Sequence, residues 1–277
     1  METSRYKAGT LVVEIVAVLI ALLFLIPFYF LLSNSLKNFA DILLDSAALP
    51  KAINWQNYAR AWNIMDFPKA FLNSFLITIS SIVGLAVFSS MTAYRMVRRP
   101  TRYNRTLFLI FVAAMVIPFQ SIMIPLVKVA NWFSLINSLP GLWVCYMGFG
   151  ASLTIFLYHG FIKSIPLEVE ESAVVDGCSP YGVFWRIVFP LLKPMTATIV
   201  ILNSLWIWND FLLPQLMLGK AELRTIPLST FSFFGQYTKQ WDLALAGLVM
   251  GVTPIVIFFL TLQRHIISGI TAGSVKG

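Results

Sequence analysis

Four acids, Glu168, Glu170, Glu171 and Asp176, stand within nine residues of a chain that has only 12 in all. Clustered acids can serve as general acid and base, or hold a cation, when partner groups stand beside them. No such set accompanies them. The two histidines, His159 and His265, form no His-Glu-x-x-His or comparable spacing, and no cysteine–base pair is evident. Metal chemistry therefore has little support. A Gly-x-x-x-x-Gly-Lys-[Ser/Thr] phosphate loop is also missing, since Gly219-Lys220 is isolated. ATP hydrolysis by this chain alone is not expected.

A second polar group falls inside an apolar stretch: Asn203, Ser204, Trp206, Trp208, Asn209 and Asp210. Polar side chains at membrane depth are functional candidates by default. Aromatics beside amides suit the mixed apolar faces and hydroxyls of a sugar. The bland alternative is that these groups hydrogen-bond between helices, with Asp210 at the water boundary. Gln120, Asn73 and Ser74 are further candidates. Glu14 can simply reach water.

The elements that must position these groups follow from composition. The chain has 277 residues, 58% hydrophobic and 12% charged. A soluble domain carries about 25% charged residues, so this composition suits lipid as solvent. The net charge of +8 does not form a nucleic-acid stripe. It clusters in short loops, as juxtamembrane anchors do. Cys145 and Cys178 read as packing residues rather than a disulfide.

Six apolar stretches recur, at about Leu11–Leu32, Phe71–Tyr94, Leu107–Val127, Leu142–Ile162, Met195–Leu213 and Leu243–Leu262. Each is expected to be a helix, because hydrocarbon leaves no other outlet for backbone polar groups. The first exceeds the length of a signal core and reads as a retained span. The loop after span two carries Arg95, Arg98, Arg99, Arg102 and Arg105, whereas the loop after span three has only Lys128. The arginine loop is thereby expected inside, with both termini. Segments 33–70 and 214–242 then lie outside. The first holds LPKAINWQNYARAW, which could form a short surface helix. The second is expected to be an interfacial loop anchored by Trp241 and Tyr237, or a surface for an external partner. No internal repeat is strong enough to argue inverted halves.

Segment 163–194 is expected inside. Ser164 and Pro166 suit a helix start, and the acids that follow suit the helix dipole. Gly177 offers a stop, and Ser179-Pro180 a second start. Phe184, Ile187 and Val188 supply an apolar face, with Pro190 and Pro194 as closure. Anionic lipid would repel the acidic first helix. A protein groove suits it better.

Here the sequence resembles a known family. Glu171-Ser172-Ala173, Asp176-Gly177, Ile187 and Pro190 are similar to the EAA loop of ABC-importer permeases, with Ser172 and Phe189 as mild departures. FLNSFLITIS, WNDFLLP and GITAGSVKG resemble the carbohydrate-uptake branch, the maltose-type permeases. The resemblance covers nearly the whole chain. It implies an all-α polytopic membrane protein with six transmembrane helices and the type I ABC-importer permease fold. The core module would span 71–265, after an added first span and outer segment (1–70) and before a cytoplasmic tail (266–277) that is short and flexible by composition.

The resemblance also implies partners. These are a second homologous permease, an ATP-binding-cassette ATPase dimer carrying ATP and Mg, and an extracytoplasmic solute-binding protein. The setting is a bacterial-type plasma membrane. Glu171, Ser172, Ala173, Asp176, Gly177, Ile187 and Pro190 would be the coupling residues, and no cofactor would bind this chain. Two other classes compete. A self-sufficient channel or ion-coupled transporter would need dense buried charge, and a membrane enzyme a clustered catalytic set.

Overall fold

The apolar stretches fold as helices in the computed structural model, which describes residues 8–235 and 239–274, with side chains for 9–235 and 239–261. Tyr237 lies outside the described residues. The elements are α1 (Ala8–Ser35), α2 (Phe39–Leu44), α3 (Gln56–Ile64), α4 (Phe67–Arg98), α5 (Arg102–Ala114), α6 (Phe119–Trp132) and α7 (Leu139–Ile162). They continue with α8 (Glu168–Val175), α9 (Pro180–Val183), a π-turn (Phe184–Val188), α10 (Phe189–Leu191), α11 (Lys193–Asn209), α12 (Leu212–Met217), α13 (Ile226–Thr230) and α14 (Trp241–Ser274). Apart from an isolated bridge between Phe234 and Lys239, the described regular structure is helical.

Among the described residues, four helices are long and apolar enough to cross a membrane, and two bent pairs qualify if each counts as one span. That count is consistent with six crossings. The third apolar stretch departs from the expected single helix. It divides into α5 and α6, bent by 109°. Pro118 is the cause: it sits extended (φ −63°, ψ 137°) at the start of α6. Proline lacks the N–H that an unbroken helix would use, and it disfavours helical geometry in the residue before it. Pro125, by contrast, lies within α6. The fifth stretch also stops early, because Asp210 turns extended (φ −71°, ψ 126°) after Asn209. At the C-terminus the helix continues to Ser274, where composition had suggested a flexible tail.

The chain divides into two compact units. One comprises Met1–Asp66 and Thr230–Gly251, the other Phe67–Ser229 and Val252–Gly277. In the first unit, α1 is exposed along its apolar length. Its end enters a polar knot. Asn57 Nδ2 donates to the carbonyls of Ser35 (2.9 Å) and Lys37 (2.8 Å). Lys37 Nζ donates to the carbonyls of Asp45 (3.1 Å) and Ser46 (3.2 Å). The anticipated short surface helix is α3, which contributes Asn57 to this knot.

In the second unit α4 and α7 pack closely, and glycines permit it. A Cβ at Gly150 would lie 2.6 Å from Leu85 Cδ1, and one at Gly84 would lie 2.7 Å from Met147 Sδ. Small residues at such contacts let membrane helices approach. Two apolar cores result. One gathers Ala93, Tyr158, Ile162, Ala173, Phe184 and Val188 around the α8–α10 segment. The other gathers Leu85, Leu142, Tyr146, Ile207, Leu213 and Met217.

Candidate functional site

The acidic stretch folds as helix, glycine, helix. Leu167, not Ser164, occupies the N-cap of α8, and the Ser164 hydroxyl bonds back to Phe161 O at 2.8 Å. The helix ends where Gly177 adopts φ +84°. That left-handed conformation costs an L side chain roughly 1–2 kcal/mol, so glycine is the fitting residue. Cys178 N–H then reaches Ala173 O at 3.0 Å, closing the turn. Ser179 caps α9 as expected, its hydroxyl accepting from Gly182 N–H at 3.2 Å. Pro190 does not close that second helix. The chain stays helical through a π-turn, in which Phe189 N–H bonds to Phe184 O. The wider turn lies immediately before Pro190, which has no N–H to offer the preceding turn.

The two faces of α8 differ. Glu170 and Ala173, three residues apart, are buried at 5% and 7% exposure. Glu170 accepts from Tyr94 OH (2.8 Å) and Arg98 Nε (2.8 Å), and Arg98 Nη2 stands 2.7 Å from the same carboxylate. Glu171, Ser172, Asp176 and Gly177 face solvent. So do Val174 (58% exposed) and Val175 (87%). Of the expected coupling residues, Ala173 lies in the bundle core, Ile187 is half-buried against it, and Pro190 is exposed. Composition marked the knob as acidic, yet its exposed face also carries two apolar side chains, Val174 and Val175. It also grouped Glu170 with the other acids. The signals that could have separated it are the i, i+3 spacing of Glu170 with Ala173 and the i, i+4 spacing of Tyr94 with Arg98.

The polar group of span five does not form one site. Asn203 is buried and donates to Ile199 O (2.9 Å) and Thr154 Oγ1 (3.4 Å). Ser204 donates to Val200 O, and Asn209 to Leu205 O at 2.7 Å. These are bonds within α11, plus one contact with α7. Trp208 is buried edge-on against Phe71, with ring centroids 5.8 Å apart. It lines an apolar groove with Phe75, Thr78, Ile82 and Phe258.

Three candidates do converge. Gln120, Trp206 and Asp210 line one cavity of about 250 Å³ with Phe119, Phe149 and leucines 212 and 213. Asp210 Oδ2 accepts from the buried Tyr146 OH at 2.9 Å, and Oδ1 from Leu212 N–H at 3.0 Å. Its carboxylate thus fixes the turn from α11 into α12. Trp206 stands edge-on to Tyr146 at 5.5 Å. Such an arrangement offers aromatic faces, an amide and a fixed acceptor, a mix of apolar walls and a few placed polar groups of the kind found in small-molecule pockets. Phe119 and Phe149 are lining residues that the sequence does not mark, because they come from α6 and α7 and meet α11 only in the fold. Asn73 and Ser74 serve elsewhere. Asn73 donates to the carbonyls of Glu222 and Arg224 (both 3.0 Å), and Ser74 accepts from Ile226 N–H at 2.9 Å. They tie the 221–226 segment to α4.

Comparison with known proteins agrees with this architecture. Residues 82–272 match the family described as binding-protein-dependent transport system inner membrane component. The chain is 44% identical over 259 residues to a probable starch degradation products transport system permease protein, AmyC, of Thermoanaerobacterium thermosulfurigenes, covering 94% of each. It is 35% identical over 278 residues to the melibiose/raffinose/stachyose import permease protein MelC of Bacillus subtilis, covering 100% of each. A solved bacterial ABC transporter involved in import of the acidic polysaccharide alginate shares the fold. Its TM-score is 0.75 at 23% identity, with 95% of this chain and 99% of that one covered. With an all-helical bundle and a matching span of that length, this chain belongs to the family of binding-protein-dependent transport system inner-membrane components, the permease subunits of ABC importers.

Proposed function

We propose that this permease imports a sugar or oligosaccharide together with a second permease, an ATPase dimer and an extracytoplasmic binding protein. The solute class rests on the relatives, whose names concern starch degradation products and melibiose, raffinose and stachyose. Coupling rests on one observation. A short helix is fixed to the bundle by one face, and its other face is left bare at Val174, Val175, Glu171 and Asp176. A groove in a soluble ATPase is the partner that such a knob fits. The arginine loop of Arg95, Arg98, Arg99, Arg102 and Arg105 supports a cytoplasmic position for this end of the bundle. Both termini would then be cytoplasmic, and the core module would span 71–265.

The mechanism is alternating access. ATP on the partner subunits draws the knobs together, the path opens toward a loaded binding protein, and hydrolysis resets it. Differential affinity of nucleotide and binding protein for the two states supplies the driving force. The cavity of Gln120, Trp206 and Asp210 lines the solute path. Co-purification tests the reading: a Glu171→Lys chain reaches the membrane normally but loses its ATPase. Normal ATPase retention together with normal uptake of labelled malto-oligosaccharides and raffinose would contradict it.

A further inference from the structure

Glu170 is a buried acid on a helix whose other acids face solvent. Its carboxylate is occupied on both oxygens. Tyr94 OH donates to Oε2, and Arg98 Nε donates to Oε1, each at 2.8 Å. Both donors stand on one face of α4, a turn apart. Charge-assisted bonds of this kind are short and directional. Losing one partner of a buried pair leaves the other uncompensated, so this contact resists sliding.

The same residues gather two further segments. Arg98 Nη2 donates to Ile165 O at 3.0 Å, where the chain leaves α7. The Tyr94 ring packs on Phe184, centroids 5.2 Å apart, at the start of the π-turn. Thus α8, the exit of α7 and the π-turn all meet the last two turns of α4. From that end α4 runs through 32 residues. At 1.5 Å per residue, that is a rod of about 48 Å. Its far end supplies Phe71, Phe75 and Thr78 to the groove beside Trp208.

We propose that Glu170, gripped by Arg98 and Tyr94, is the joint through which displacement of the α8 knob is transmitted to α4. It is a positioning residue and touches neither solute nor ATPase. The proposal rests on the docking reading above and adds a division of labour. The exposed face of α8 binds the motor, and the buried face moves the bundle. Contacts across a packed interface with two arrangements are a physical route for such coupling.

The test uses the assembled transporter in nanodiscs, with Leu72→Cys near the start of α4 as reporter in a background of Cys145→Ser and Cys178→Ser. Leu72 is 52% exposed. The maleimide labelling rate at that cysteine is compared without nucleotide and with ATP trapped by vanadate. Otherwise wild-type protein shows a change of threefold or more. Glu170→Gln retains its ATPase and loses the change. Tyr94→Phe retains its ATPase and shows a reduced change. If Glu170→Gln fails to accumulate, Tyr94→Phe decides by the same comparison.

The proposal is overturned if Glu170→Gln (or Tyr94→Phe, where the former fails to accumulate) keeps the full change, if ATPase retention falls in step with it, or if the otherwise wild-type reporter shows no change. Glu171→Lys separates the two claims. If it keeps its ATPase, the docking reading fails. If it releases the ATPase while Glu170→Gln keeps the full change, only the transmission role fails.

Discussion

Val175 is 87% exposed at the tip of the knob, more than any other apolar residue between 164 and 190. An isoleucine- or valine-sized side chain gains about 1.5–3 kcal/mol on full burial, which is roughly tenfold or more in affinity. A Val175→Asp chain should therefore bind its ATPase at least tenfold more weakly, with normal membrane accumulation; titration of the ATPase onto nanodisc-held chain measures this. The acids of the stretch were plain in the sequence, but which of them faced inward was not. A helix of eight residues has few periods from which to read a buried face, and Glu170 is buried only because Arg98 and Tyr94 are there to meet it. In span five the separation is similar. Trp206→Ala should cut uptake with ATPase retention unchanged, because its ring lines the cavity. Asn203→Ala should instead lower thermal stability by about 1 kcal/mol or more, because it leaves the buried Ile199 carbonyl and Thr154 hydroxyl short of a donor.

Glycine at two positions fixes how the elements meet. At Gly177 a Cβ would meet nothing within 4 Å, so a substitution there acts through φ +84° alone. Asparagine tolerates that region better than β-branched residues do. Gly177→Asn should then keep most ATPase retention and Gly177→Val should lose it, read by co-purification. At Gly150 the obstacle is packing, since Leu85 and Asn203 stand where a side chain would go. Gly150→Leu should abolish accumulation of the folded chain by forcing α4 from α7, seen as loss of the monodisperse peak in size-exclusion chromatography. The stop at Gly177 and the cap at Ser179 were legible, because each depends on local chemistry that the residue itself carries. Two features were not: the π-turn before Pro190 and the division of the third stretch at Pro118. Prolines are tolerated inside membrane helices, as Pro125 and Pro254 are here, so proline alone does not say which helix will break.

At the scale of the molecule, composition settled the solvent and the number of apolar stretches, and a long contiguous sequence match settled the family. What composition could not supply was the convergence of Gln120, Trp206 and Asp210. Gln120 lies about 90 residues before the other two in sequence, and the packing of α6 and α7 with α11 brings them to one wall. The central claim is that work reaches this bundle through a cytoplasmic knob. The most direct measurement labels Ser172→Cys, in a background of Cys145→Ser and Cys178→Ser, with a membrane-impermeant maleimide. The account predicts reaction in inverted vesicles stripped of ATPase, protection when the ATPase is added back, and no reaction in intact cells. Labelling from outside intact cells, or labelling that bound ATPase leaves unchanged, would contradict it.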